Sequence, residues 1–91
     1  MFFSSNIKRL RIYRRKTQDA VAKYLGMQRS TLNSYENGLI KNPTIEALLK
    51  FSHYYYVTID ELIRVDLSKK TDYDLRCMQE NFIKNTGTSN G

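Results

Sequence analysis

Between Thr17 and Gly38 the chain holds two helix-length segments, each closed by a glycine, with space between them for only a tight turn. The first runs Thr17-Gln18-Asp19-Ala20-Val21-Ala22-Lys23-Tyr24-Leu25 and stops at Gly26; the second runs from Gln28 to Asn37 and stops at Gly38. Thr17 is a good N-cap, because its hydroxyl can accept an orphaned N–H of the first turn. Val21, Ala22 and Leu25 fall at the spacing of an inward face, and Asp19 and Lys23 point outward as an i,i+4 pair. Gly26 supplies the left-handed backbone that ends the segment.

In the second segment, a 100° step per residue puts Leu32 and Tyr35 on one side. Arg29, Ser30, Asn33, Ser34 and Asn37 fall on the other, within roughly a 140° arc. A face of small polar and amide side chains suits contact with something polar. Helix, glycine-containing turn, helix is also the layout of a helix-turn-helix, whose second helix lies in the major groove of DNA.

The charge agrees with that reading. The chain carries a net +6, unevenly placed. Residues 1–41 hold Lys8, Arg9, Arg11, Arg14, Arg15, Lys16, Lys23, Arg29 and Lys41 against Asp19 and Glu36, a net +7, so the rest of the chain nets −1. The positive excess sits in the half with the two signature segments, as expected of a polyanion binder, although a solvated basic surface gives the same count. Ninety-one residues make one small domain with a modest core. One cysteine, Cys77, allows no internal disulfide, and no apolar run approaches the roughly 18 residues that cross a bilayer. The start lacks the charged lead and apolar stretch of a secretory signal, so a cytoplasmic protein without membrane attachment is expected.

The remaining pattern is helical, with no sustained strand alternation and no repeats. Ser5 or Asn6 can cap a first helix to about Arg15, with Ile7 and Leu10 on one face. Thr44 can cap a fourth helix with an inner stripe of Ile45, Leu48, Phe51, Ser52 and Tyr55. Thr58 and Glu61 form a capping box for a fifth helix, Ile59 to Arg64. Thr71 can start a sixth through about Lys84, with Leu75, Met78 and Phe82 as its stripe. Residues 85–91 are small and polar and are expected to be disordered.

Residues Ile7 to Ile63 resemble the lambda-repressor-like, Cro/C1-type helix-turn-helix domain, the XRE family. The landmarks are Ile7, Leu10-Arg11, Thr17-Gln18, Val21-Ala22, Gly26, Leu32, Tyr35-Glu36-Asn37-Gly38, Pro43 and Thr58-Ile59-Asp60-Glu61-Leu62. The resemblance implies an all-α fold, a five-helix DNA-binding domain over residues 1–65, to which the sixth helix adds an extra C-terminal helix within 66–84. It further implies a transcriptional repressor acting as a homodimer on palindromic double-stranded DNA. By position, Gln18 would hold a phosphate and steady its neighbour, Gln28 would open the recognition helix, and Arg29, Ser30 and Ser34 would read bases. Asn37 and Lys41 match phosphate contacts, and Arg11 with Glu36 matches an ion pair that fixes the recognition helix. The helical face independently selects Arg29, Ser30 and Ser34 and adds Asn33; Arg can pair with guanine and Asn with adenine, each through two hydrogen bonds. Two departures stand out. Lys16 occupies a place that is usually apolar, and Gln28 is a poor N-cap.

The sixth helix is too short to stand alone and needs its stripe buried. It can fold back on its own domain or pair with the same helix of a second subunit. Pairing is favoured, because twofold symmetry would set two recognition helices about one DNA turn apart. An enzyme is not indicated. His53 is isolated, Cys77 has no partner for zinc or thiol chemistry, and no glycine-rich phosphate loop is present. No cofactor, metal or catalytic residue is therefore expected. Two other functions share the features: an antitoxin-like module that binds a protein partner as well as DNA, and an architectural protein without sequence preference.

Overall fold

Four threonines start four of the helices. The hydroxyls of Thr17, Thr44, Thr58 and Thr71 accept the backbone N–H groups of Ala20, Ala47, Glu61 and Asp74 at 3.0–3.1 Å, which satisfies a first-turn donor in each case. At Thr58 and Thr71 the side chains of Glu61 and Asp74 return the bond to the threonine N–H, completing capping boxes. The structure, a computed structural model, describes residues 1–87. They form α1 (Phe3–Tyr13), α2 (Gln18–Leu25), α3 (Arg29–Glu36), α4 (Ile45–Tyr55), α5 (Ile59–Arg64) and α6 (Asp72–Phe82). A 3-10 turn, Leu67–Lys69, precedes α6, and a π-helical turn, Ile83–Gly87, follows it. No strand occurs among the described residues, and none of their helices is long and apolar enough to cross a membrane. Residues 88–91, most of the stretch expected to be disordered, lie outside the described residues.

The core joins all six helices. Phe3, Tyr35 and Phe51 meet edge to face, with ring centroids 5.6–6.0 Å apart, and so lock α1, α3 and α4 together. Val21, Leu32, Leu62, Leu67 and Leu75 are fully buried around them. Val21, Ala22 and Leu25 face inward on α2, and Gly26 ends that helix in the left-handed region at φ 71°. Tyr55 is the buried member of its aromatic run, with Tyr54 half-buried and Tyr56 exposed.

Three features depart from the sequence reading. Neither Ser5 nor Asn6 caps α1, which begins at Phe3 and ends at Tyr13. Asn6 is instead fully buried, since the first turn is pinned under α5 by a bond from Phe2 N to Ile63 O at 2.9 Å. Ile45 is 73% exposed. The inner stripe of α4 is centred on Ala47, Phe51 and Tyr55, which leaves Ile45 about 120° away around the helix. Finally, α6 folds back on its own domain rather than leaving its stripe free for a second subunit. Leu75 is buried there, Arg9 bonds the carboxylate of Asp72 at 2.9 Å, and Gln79 Nε2 donates to Tyr55 O at 2.9 Å.

The Tyr55 hydroxyl is buried without a hydrogen-bond partner. Burial raises its pKa well above the ordinary phenol value of 10.0. Removing an unsatisfied buried hydroxyl relieves a desolvation cost, so Tyr55→Phe should stabilise the chain by about 1 kcal/mol in a thermal melt. The sign with pH follows from the same shift. Above about pH 10 the unfolded chain releases a proton that the folded chain keeps, so native stability falls there and the Phe variant is spared that loss. A variant less stable than the parent at neutral pH would mean that the hydroxyl is satisfied.

Candidate nucleic-acid interface

α3 is held by the face opposite to the one it offers. Leu32, Tyr35 and Glu36 are buried, while Arg29, Ser30, Asn33 and Asn37 are exposed and Ser34 is half-buried. Glu36 anchors the helix from beneath. Arg11 of α1 meets it through two bonds, Nε to Oε2 at 2.8 Å and Nη2 to Oε1 at 3.1 Å. The Glu36 side chain is 1% exposed and the Arg11 side chain 14%. This doubled, charge-assisted geometry raises the pKa of Arg11 further above its ordinary value. The third guanidinium arm donates to Lys16 O at 2.9 Å, so the same side chain also shapes the turn into α2.

Gln18 is the hinge between the anchor and the outer face. Its Nε2 donates to Glu36 Oε1 at 3.1 Å and to Asn33 Oδ1 at 3.2 Å, and its Oε1 accepts a long bond of 3.4 Å from Arg29 Nε. Three of the residues singled out by the sequence, Gln18, Arg29 and Asn33, thus touch. Arg29 also lies 3.6 Å from Asp19, with both side chains well exposed. An exposed pair of this kind contributes about 0–1 kcal/mol, so it parks the guanidinium without locking it. Helical spacing pairs Asp19 with Lys23, but the crossing of α2 over α3 turns it toward Arg29. That partner depends on tertiary geometry, and helical spacing within α2 carries no sign of it.

Ser34 Oγ donates back to Ser30 O at 3.0 Å, one turn earlier. Ser30 and Ser34 therefore sit together on the outer face. Gln28 occupies the N-cap position of α3 without a capping bond, as its residue type predicts, and its side chain is exposed. Lys41 is exposed on the loop after α3. Gln28, Asn37 and Lys41 share the surface with the others but make no side-chain bond to them.

The cations divide in a telling way. Arg9, Arg11 and Arg29 each face a carboxylate, and Arg14 donates to Tyr54 O with its guanidinium 4.9 Å from the Tyr54 ring centre. Among the described residues, Lys8, Arg15, Lys16, Lys23 and Lys41 are exposed and have no carboxylate within ion-pair distance. The unpaired charge is therefore available to an external anion. No group of metal-ligating side chains occurs among the described residues.

Comparison with known proteins agrees with this geometry. A helix-turn-helix family model matches residues 7–62. The cryptic phage CTXphi transcriptional repressor RstR of Vibrio cholerae is 38% identical over 61 residues, which cover 67% of this chain and 54% of that protein. The chain thus spans about half the length of the curated relative it matches. No solved structure matches it at a significant level.

Proposed function

The chain belongs to the Cro/C1-type helix-turn-helix family, and from that premise we propose that it is a sequence-specific DNA-binding repressor acting as a dimer on a palindromic operator. One observation carries the reading. α3 is fixed from below by the Arg11–Glu36 pair and offers an outer face of Arg29, Ser30, Asn33 and Ser34, free of apolar side chains. A helix that is to present hydrogen-bonding groups to base edges must be held rigid from its far side. The similarity to a phage repressor supports the sign of regulation.

Each residue then has a role. Arg29 pairs with guanine O6 and N7, swinging away from Asp19 at little cost. Asn33, oriented by Gln18, is suited to adenine, and Ser30 and Ser34 contact the remaining base edges. Gln18, Gln28, Asn37 and Lys41 hold phosphates and set the register. Dimerisation draws on apolar surface that the core leaves uncovered. Leu39, Ile45 and Leu49 are 72%, 73% and 43% exposed on the loop after α3 and the outer side of α4.

Selection of bound sequences from random DNA tests the proposal. The expected product is an inverted repeat whose half-sites are about one helical turn apart. On that site Arg29→Ala should cost about 1–3 kcal/mol and relax preference at one base position per half-site. Lys41→Ala should weaken all sequences alike and reduce the salt slope by about one unit. Recovery of no preferred sequence, with a steep salt dependence retained, would instead identify an architectural binder.

A further inference from the structure

Beside the Arg11 anchor lies a second site, formed where the end of α1, the side of α2 and the end of α4 converge. It is an open pocket of about 240 Å³ lined by Arg14, Lys16, Tyr24, His53, Tyr54 and Tyr56. The lining holds two permanent cations, three phenol rings and no carboxylate. The Tyr24 and Tyr54 rings stand 5.0 Å apart at a 48° tilt, and the Arg14 guanidinium lies 4.9 Å and 5.6 Å from the Tyr54 and Tyr56 ring centres. Arg14 is held in place by its bond to Tyr54 O, whereas Lys16 is exposed and has no carboxylate partner. Among the described residues, two non-glycine residues have positive φ: Tyr56 at 56°, which lines this pocket, and Arg15 at 57°, which stands in the chain between the lining residues Arg14 and Lys16. Residues held in that rarely adopted region cluster where a site needs its side chains aimed.

We propose that this pocket binds a small aromatic anion, a single planar ring carrying a carboxylate or a phosphate. The ring would stack on Tyr24 and Tyr54, and the anionic group would reach the Lys16 ammonium and the outer edge of Arg14. The volume lies below the 300–1,000 Å³ of sites for larger ligands, which limits the occupant to about one ring. None of its lining residues belongs to α3.

Isothermal titration of the full chain with benzoate and with phenyl phosphate tests the proposal. Cyclohexanecarboxylate, which lacks the ring, and benzamide, which lacks the charge, serve as comparisons. At least one aromatic anion should saturate at one per chain, with both comparison compounds at least about tenfold weaker, the scale of one lost stacking or charge contact. Lys16→Met and Tyr24→Ala should each lower that affinity about tenfold while leaving the chain folded, since Lys16 is exposed and Tyr24 is 76% exposed. If one variant proves unstable, the other decides. No saturable binding of either probe, equal binding of cyclohexanecarboxylate, or undiminished binding by a folded variant would overturn the assignment.

Discussion

Arg11→Ala should destabilise the chain by about 3–5 kcal/mol, because it leaves a carboxylate stranded in the interior. The Glu36 side chain is 1% exposed, and without Arg11 only Gln18 Nε2 remains as a side-chain donor to it. In a domain of this size the expected fall in melting temperature is roughly 15 °C or more. Glu36→Ala should also lower the melting temperature, but by less. The Arg11 left behind is 14% exposed and keeps its bond to Lys16 O, so it can recover part of its hydration. DNA preference should survive both changes wherever the fold does. Two melting curves that overlay the parent would show that the pair holds nothing.

The second large effect is expected at Asn6. Its Nδ2 donates to Leu62 O at 2.8 Å and Val65 O at 2.6 Å, and its Oδ1 accepts from Leu67 N at 3.0 Å. One side chain thus satisfies carbonyls at the end of α5 and the first amide of the 3-10 turn; the bonds to Leu62 and Leu67 are buried and the one to Val65 is part-buried. Asn6→Ala strands two buried backbone groups and one part-buried group and opens a void. Each stranded group costs about 1–3 kcal/mol, so a total loss of about 3–5 kcal/mol is expected after partial relaxation. Chemical denaturation measures the total. Hydrogen exchange localises it, with the Leu67 amide losing protection ahead of amides in α2. A loss under 1 kcal/mol would mean that water reaches these carbonyls.

Asn6 also shows where sequence reading stops. Its type and place near a helix start made it a candidate cap, and nothing in the neighbouring residues points to partners some sixty positions away. The threonine caps were legible because each bond closes within three residues. The outer face of α3 was legible for a similar reason, since helical period alone separates Leu32 and Tyr35 from Arg29, Ser30 and Asn33. Ile45 was misplaced because periodicity gives the width of an apolar stripe but not which of its edges meets the core. The stripe of α6 had the right residues and two possible hosts, and only the third dimension distinguishes them. Within the site, the Arg11–Glu36 pair followed from family resemblance, while the contact of Asp19 with Arg29 depends on how two helices cross.

The tie between the chain's first turn and its last segment also bears on how the molecule is made. α1 leaves the ribosome before the segments it binds, so Phe2 waits for Ile63, Asn6 for Leu67 and Arg9 for Asp72. Such closures carry the loop-entropy cost of long sequence separation. A nascent chain ending after α3 already contains Gln18 and the proposed base-reading residues of α3, but the helix that anchors them is not yet fastened. Competence to grip a template therefore arrives late and all at once, when synthesis has passed α5. A truncated product would be left with its aromatic core open to proteolysis instead of persisting as a half-active competitor for the same sites.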